Sequence, residues 1–243
     1  MKSLVEIGFA GSYKCDLLLY LAKIALAAGK KVAIVDAVEE DIWSYSVPVY
    51  LDKKVVTYSD VDIYLGRNNA QVFEEIEFNN YDVVFVDFGF NKNMAGYMRQ
   101  CDAVVIISDI ERNNVLKLRE YIKAFVNLLE AGKTTDNDTN EVEKKSQMDI
   151  IKIYRDVVNS KINTKYTDTL LDINEKLNTV MEYIIQFDEI DYRCRIESQY
   201  NDSFRFNKLT KALKVMLVDI LESCTEIDRK SLLNALKKAE RGN

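Results

Sequence analysis

Four short apolar runs set the strongest constraint on this chain: LVEIGFA at residues 4–10, KKVAIVDA at 30–37, YDVVFVDFG at 81–89 and CDAVVIISD at 101–109. Each is nearly continuous in Val, Ile, Phe and Ala, the pattern of strands buried on both faces of a parallel sheet. Helical periods lie between them. LLLYLAKIALAAGKK places Leu17, Leu18, Leu21, Ile24, Ala25 and Ala28 on one side and then offers Gly29 as a stop, and VLKLREYIKAFVNLLEAGK repeats the arrangement with Gly132. Alternating runs of this kind predict an α/β fold with a doubly wound, mostly parallel sheet flanked by helices.

The rest of the chain extends this plan. KTTDNDTNEVEKKSQ, residues 133–147, is polar and aperiodic and reads as an exposed loop. IIKIYRDVVNSKIN reads as a further strand, YTDTLLDINEKLNTVMEYI is amphipathic, and YIIQFD suits a short last strand. FNKLTKALKVMLVDILESC and RKSLLNALKKAE read as helices, giving a helical C-terminal extension over about 222–243 that either packs on the core or offers a groove-binding face. Pro48, the only proline, marks a turn. With 243 residues, a single domain over 1–243 is expected.

Composition removes several classes of function. There is no histidine, which excludes Ser-His-Asp and Cys-His devices. Cys15, Cys101, Cys194 and Cys224 show no paired spacing, so neither a zinc site nor a disulfide framework is indicated. A net charge of -6 gives no strong nucleic-acid signal. No apolar run reaches the ~20 residues of a bilayer span. The opening MKSLVEIGFA lacks the apolar stretch of a signal peptide, so a cytoplasmic location is expected.

One turn carries chemistry. GFAGSYKCD, residues 8–16, joins the first strand to the first helix and approaches G-x-x-x-x-G-K-[ST], with Gly8, Gly11 and Lys14 in place. Tyr13 stands where the second glycine belongs, and Cys15 where Ser or Thr should be. In a working loop the glycines let backbone N–H groups wrap phosphates, the lysine meets the outer phosphates, and the hydroxyl ligates magnesium. A thiol is a poor ligand for that hard ion. The alternative readings are a solvated lysine in an ordinary strand-helix turn, and a tyrosine ring filling the phosphate space.

The order of the pieces, Lys14 after the first strand, Asp36 ending the second, Asp87 ending YDVVFVDFG, and then the Cys101-Asp102 strand, resembles the MinD/ParA family of deviant P-loop ATPases. That family includes pilus-assembly proteins of the CpaE/TadZ type. IIQFDEIDYRCRIESQYNDSFRFNKLTKAL resembles the family's terminal segment and closing helices. The resemblance implies ATP or ADP bound by Gly8, Gly11, Ser12, Tyr13, Lys14, Cys15 and Asp16. It also implies magnesium near Asp87 and Asp36, which would be the catalytic carboxylates of an active enzyme. As structural alternatives, both aspartates could simply cap strand ends. The family's cross-dimer lysine is replaced by Phe9, and its second aspartate by Val38 unless Glu39 or Asp41 shifts into that role. With these departures the resemblance implies a homodimer that has lost efficient hydrolysis and serves as a protein component of a larger assembly, recruited to a membrane-associated complex; the alternatives are a slow but active ATPase cycling on DNA or membrane, and a protein-interaction module that binds no nucleotide.

Overall fold

The computed structural model describes residues 4–48, 53–131, 148–173, 177–201, 204, 206 and 208–242. The expected loop at 133–147 and the stop at Gly132 lie outside them. In chain order the elements are β1 (Val5–Gly11), α1 (Cys15–Ala27), β2 (Val32–Asp36), α2 (Ile42–Ser46), β3 (Val55–Tyr58), β4 (Val61–Tyr64), α3 (Ala70–Phe73), β5 (Val83–Gly89) and α4 (Ala95–Met98). Then come β6 (Ala103–Ser108), α5 (Arg112–Ala131), β7 (Met148–Val157), α6 (Thr164–Leu171), β8 (Leu177–Gln186), α7 (Glu189–Tyr200), α8 (Lys211–Cys224) and α9 (Arg229–Arg241).

The strands form one eight-stranded sheet in the order β3-β4-β2-β5-β1-β6-β7-β8. Every neighbouring pair is parallel except the β3/β4 hairpin. As the continuous apolar runs require, β2 and β5 are buried along their whole length. From β1 the chain leaves toward β2 on one side and later returns to β6 on the other. The carboxyl end of β1 thus opens into the crevice where doubly wound sheets bind ligands.

Each face of the sheet has its own core. On one face α1 packs between the sheet and the closing helices, with Leu17, Leu18, Leu21, Ile24 and Ala25 buried. The end of α1 follows the expectation for Gly29: with φ +84, it lets Gly29 N–H reach Leu26 O at 2.8 Å and Lys30 N–H reach Ala25 O at 3.1 Å. Leu232, Ala235, Leu236 and Ala239 of α9 turn one stripe toward this core. Burying each leucine stabilises by about 1.5–3 kcal/mol, so the C-terminal extension is an integral layer. On the other face α4 and α5 cover Val84, Val86, Val104 and Ile106.

Two stretches differ from the sequence expectation. The amphipathic 166–184 segment is divided: α6 ends at Leu171, Asp172 turns left-handed at φ 53, and β8 begins at Leu177. The last strand is therefore ten residues long and starts well before YIIQFD. The β3/β4 hairpin also escaped notice. Its turn residues Ser59 and Asp60 both have positive φ, 49 and 67, as a two-residue hairpin turn of the primed type demands.

Candidate functional site

The turn from β1 into α1 lies at the carboxyl edge of the sheet. Ser12 is held from both sides: its N–H donates to Ile107 O at 2.9 Å, and its hydroxyl accepts from Asp109 N–H at 3.2 Å. Lys14 occupies the N-cap of α1 yet is only 2% exposed. Its ammonium donates to Gly11 O at 3.0 Å and Ser12 O at 3.1 Å, and pairs with Asp87 Oδ1 at 2.7 Å. All three of its donors are used. This is neither the solvated lysine nor a lysine extended toward an outside anion.

Both oxygens of Asp87 have partners. Gly89 N–H donates to Oδ1 at 2.9 Å, and the indole Nε1 of Trp43, the only tryptophan, donates to Oδ2 at 3.0 Å. Trp43 comes from α2 and is completely buried. Asp36 ends β2 directly beside Asp87 in the sheet register. Its Oδ1 accepts from Val38 N–H and its Oδ2 from Gly66 N–H, each at 3.2 Å. Burial, with the neighbouring Asp87 charge adding to it, pushes the Asp36 carboxyl up to about 7.

That shift has a direction in pH. Between the ordinary carboxylate value of 3.8 and about 7, the folded protein keeps a proton that the unfolded chain releases. The contribution of Asp36 to stability therefore falls as pH rises through this window and levels off above it. Asp36→Asn removes the effect. Melting curves at pH 5 and pH 8 should show the variant gaining ~5 °C on the parent over that interval; parallel curves would refute the buried, proton-holding carboxyl.

On the other side of the lysine, Asp16 in the first turn of α1 is buried and accepts two bonds from Arg155 of β7, at 2.8 and 2.9 Å. Burial raises the pKa of Asp16, but the Arg155 guanidinium outweighs it and holds the carboxylate below its usual range. Arg155 also donates to Tyr13 O at 3.0 Å. The Tyr13 hydroxyl accepts from Gln199 Nε2 at 3.1 Å, and burial pushes it well above the usual phenol range. Cys15 is buried and its thiol is likewise pushed up, burial being the main cause and the Asp87 charge the next.

A cavity of about 570 Å3 opens over Lys14, Cys15 and Asp87. Val38, Glu39, Glu40 and Ile42 wall one side, Phe90 and Lys92 another, and Asn113, Asn114 and Lys117 of α5 the third. Its size suits a small-molecule site.

No protein-family model matches the sequence, and no curated protein matches it. Solved structures do. A ParA family ATPase from Chlorobium tepidum TLS superposes with a TM-score of 0.50 at 14% identity, covering 98% of each chain. McdA from Cyanothece, solved as an ATP complex, gives 0.53 at 11% identity over 100% of this chain and 97% of that one. The chain has the MinD/ParA-like P-loop NTPase fold. Apo McdA agrees, with a TM-score of 0.50 at 12% identity over 98% of this chain and 99% of the other. At such identities the likeness carries the fold alone.

Within the MinD/ParA-like fold, the residues singled out from the sequence separate into groups. Gly11, Tyr13, Lys14, Cys15 and Asp87 line the large cavity together. Asp36 and Ser12 sit behind it, bonded to backbone. Gly8 lies back in β1, where an added Cβ would meet Cys101 Sγ at 3.0 Å, so it serves strand packing. Asp16 faces Arg155, away from the cavity. Phe9 is fully buried against Phe85, their ring centroids 6.0 Å apart, and Val38 brings methyl groups to the cavity wall. Glu39 lines the cavity beside it, whereas Asp41 is exposed ahead of α2. These side chains do not fit a hard magnesium ion: Cys15 offers a protonated, soft thiol, and the Asp87 carboxylate is already neutralised by Lys14. Among the described residues, no group of three or more His, Cys, Asp or Glu is placed to hold a metal. Trp43 and Arg155 are the partners the sequence reading missed.

Proposed function

We propose that this protein is a non-hydrolysing MinD/ParA-fold positioning or assembly factor, working as a homodimer within a pilus, secretion or partition machine. The observation that carries this reading is the buried Lys14–Asp87 pair, completed by Trp43 and Gly89. Phosphoryl transfer needs a cation at the outer phosphates, a carboxylate for the metal and a placed water. Here the cation and the carboxylate neutralise each other. The position of the family's water-placing aspartate is the apolar Val38, and that of its cross-dimer lysine is Phe9. ATP or ADP would meet Lys14 only after the lysine exchanged Asp87 for phosphate.

The homodimer and the place in a larger assembly follow from the family resemblance. Among the described residues no helix is long and apolar enough to cross a membrane; recruitment from the cytoplasm to a membrane-associated complex is part of the same proposal. Incubation with ATP and magnesium is expected to release no phosphate above the enzyme-free rate. Turnover comparable to an active partition ATPase defeats the proposal. The emission of Trp43, which sits on Asp87, gives a second readout: addition of ATP and magnesium should leave it unchanged.

A further inference from the structure

The two flanks of the phosphate loop differ in the room they leave. In a P-loop the lysine meets the outer phosphates and the backbone of the helix's first turn meets the inner ones, so a nucleoside extends from the lysine toward that turn. On the Lys14 side stands the cavity of about 570 Å3. On the Asp16 side, among Arg155, Asp156, Tyr192 and Arg195, the space measures about 20 Å3, room for about one water.

We propose that Asp16 and Arg155 form a built-in plug that closes the loop to nucleoside triphosphates. The Asp16 carboxylate takes the place of an inner phosphate at the opening turn of α1, and Arg155 fills the space where the nucleoside would lie. The inference rests on the phosphate-loop reading above and adds to it: the site is not only unable to cut a triphosphate but is shut to one.

Several contacts carry the argument. Asp16 is 5% exposed and Arg155 7%, and their two parallel hydrogen bonds form the bidentate geometry that holds a guanidinium on a carboxylate firmly. The positive end of a helix favours one anion in its first turn, and Asp16 is that anion. A phosphate entering beside it would have to take Arg155 from a carboxylate that already holds it at 2.8 and 2.9 Å. Arg155 fastens the pair to the loop itself through Tyr13 O. Behind it, Asp156 accepts from Arg195 at 2.7 Å, and Arg195 lies over the rings of Tyr13 and Tyr192, 5.9 and 4.6 Å from their centroids. With Gln199 on the Tyr13 hydroxyl, α7 thus braces the plug from outside.

Titration with a fluorescent ATP analogue, with and without magnesium, tests this. The parent should show no saturable binding below millimolar concentrations. The double variant Asp16→Thr/Arg155→Met removes both charges together, so that no unpaired buried ion is left, and should bind at least tenfold more tightly. Asp16→Asn, close to isosteric, should shift affinity in the same direction and stands in if the double variant fails to fold. Micromolar binding by the parent overturns the plug, as does a folded variant, judged by far-ultraviolet circular dichroism and melting, that binds no better than the parent. Phosphate release measured on the same samples keeps the two proposals apart. Tight binding by the parent without release sinks the plug alone, whereas release at partition-ATPase rates sinks the non-hydrolysing reading.

Discussion

Lys14→Met is expected to lower the melting temperature by roughly 6–20 °C, because removing one member of a buried ion pair costs about 3–5 kcal/mol and each kcal/mol moves a domain of this size by about 2–4 °C. The side chain left behind is Asp87, 2% exposed, with Trp43 and Gly89 as its remaining donors and no cation beside it. The double variant Lys14→Met/Asp87→Asn should recover part of the loss, since no buried charge remains uncompensated, although the amide oxygen can accept from only one of Gly89 N–H and Trp43 Nε1 while its NH2 faces the other. Thermal melts of the parent, the two single variants and the double variant give the coupling between the residues directly. A lysine that only waits in solvent for phosphate predicts the opposite, a change within about 0.5 kcal/mol. A single variant that melts within about 2 °C of the parent removes the self-neutralised site and, with it, the main support for a non-hydrolysing protein.

How far such a site is legible in a sequence depends on which contacts are local. β1, β2, β5 and β6 were readable because burial on both faces leaves an unbroken apolar run, and Lys14, Asp36 and Asp87 because they end such runs. β3 and β4 are shorter and half-exposed, with exposed and buried positions alternating along β3 and buried and partly buried ones along β4, and a Ser-Asp turn in place of the commoner Asn-Gly. β8 was ambiguous for a different reason. Leu177, Val180, Met181 and Ile184 satisfy helical spacing, while Leu177, Met181, Tyr183 and Ile185 satisfy a strand's alternation; the sheet edge decides in favour of the second set, leaving Val180 and Ile184 48% and 45% exposed. The site's character was hidden because its deciding partners are remote. Trp43 is 44 residues from Asp87, and Arg155 is 139 from Asp16. Motif spacing pointed to a phosphate loop, but only tertiary packing shows Lys14 paired with Asp87 and Asp16 with Arg155.

Gly11 makes the same distinction at the level of the backbone, and its replacement is the second large effect expected. The motif reading gives this glycine to phosphate wrapping, in which case alanine would weaken ligand binding and little else. In the structure Gly11 has φ +114, and a Cβ built on it would stand 1.8 Å from Ile107 O and 2.9 Å from Ile107 C. Both neighbours are backbone atoms of β6, in register with Gly11 and tied to the next residue by the Ser12 N–H bond to Ile107 O. No side-chain rotation relieves that overlap, so β1 and β6 must separate at their carboxyl ends, and the Lys14 contacts with Gly11 O and Ser12 O must go with them. Gly11→Ala should therefore cost more than about 4 kcal/mol, at the far end of what single substitutions do, and yield little folded protein at 37 °C. Gly29→Ala is the control: its φ of +84 is also unfavourable for alanine, but nothing lies within 4 Å of the added carbon, so it should cost only about 1–2 kcal/mol. Urea unfolding of the two variants beside the parent decides the matter. Equal losses would mean that β6 yields easily at this edge and that the strand pair does not hold the loop closed around Lys14; a loss at Gly11 several-fold larger is what the packing requires, with no ligand present at all.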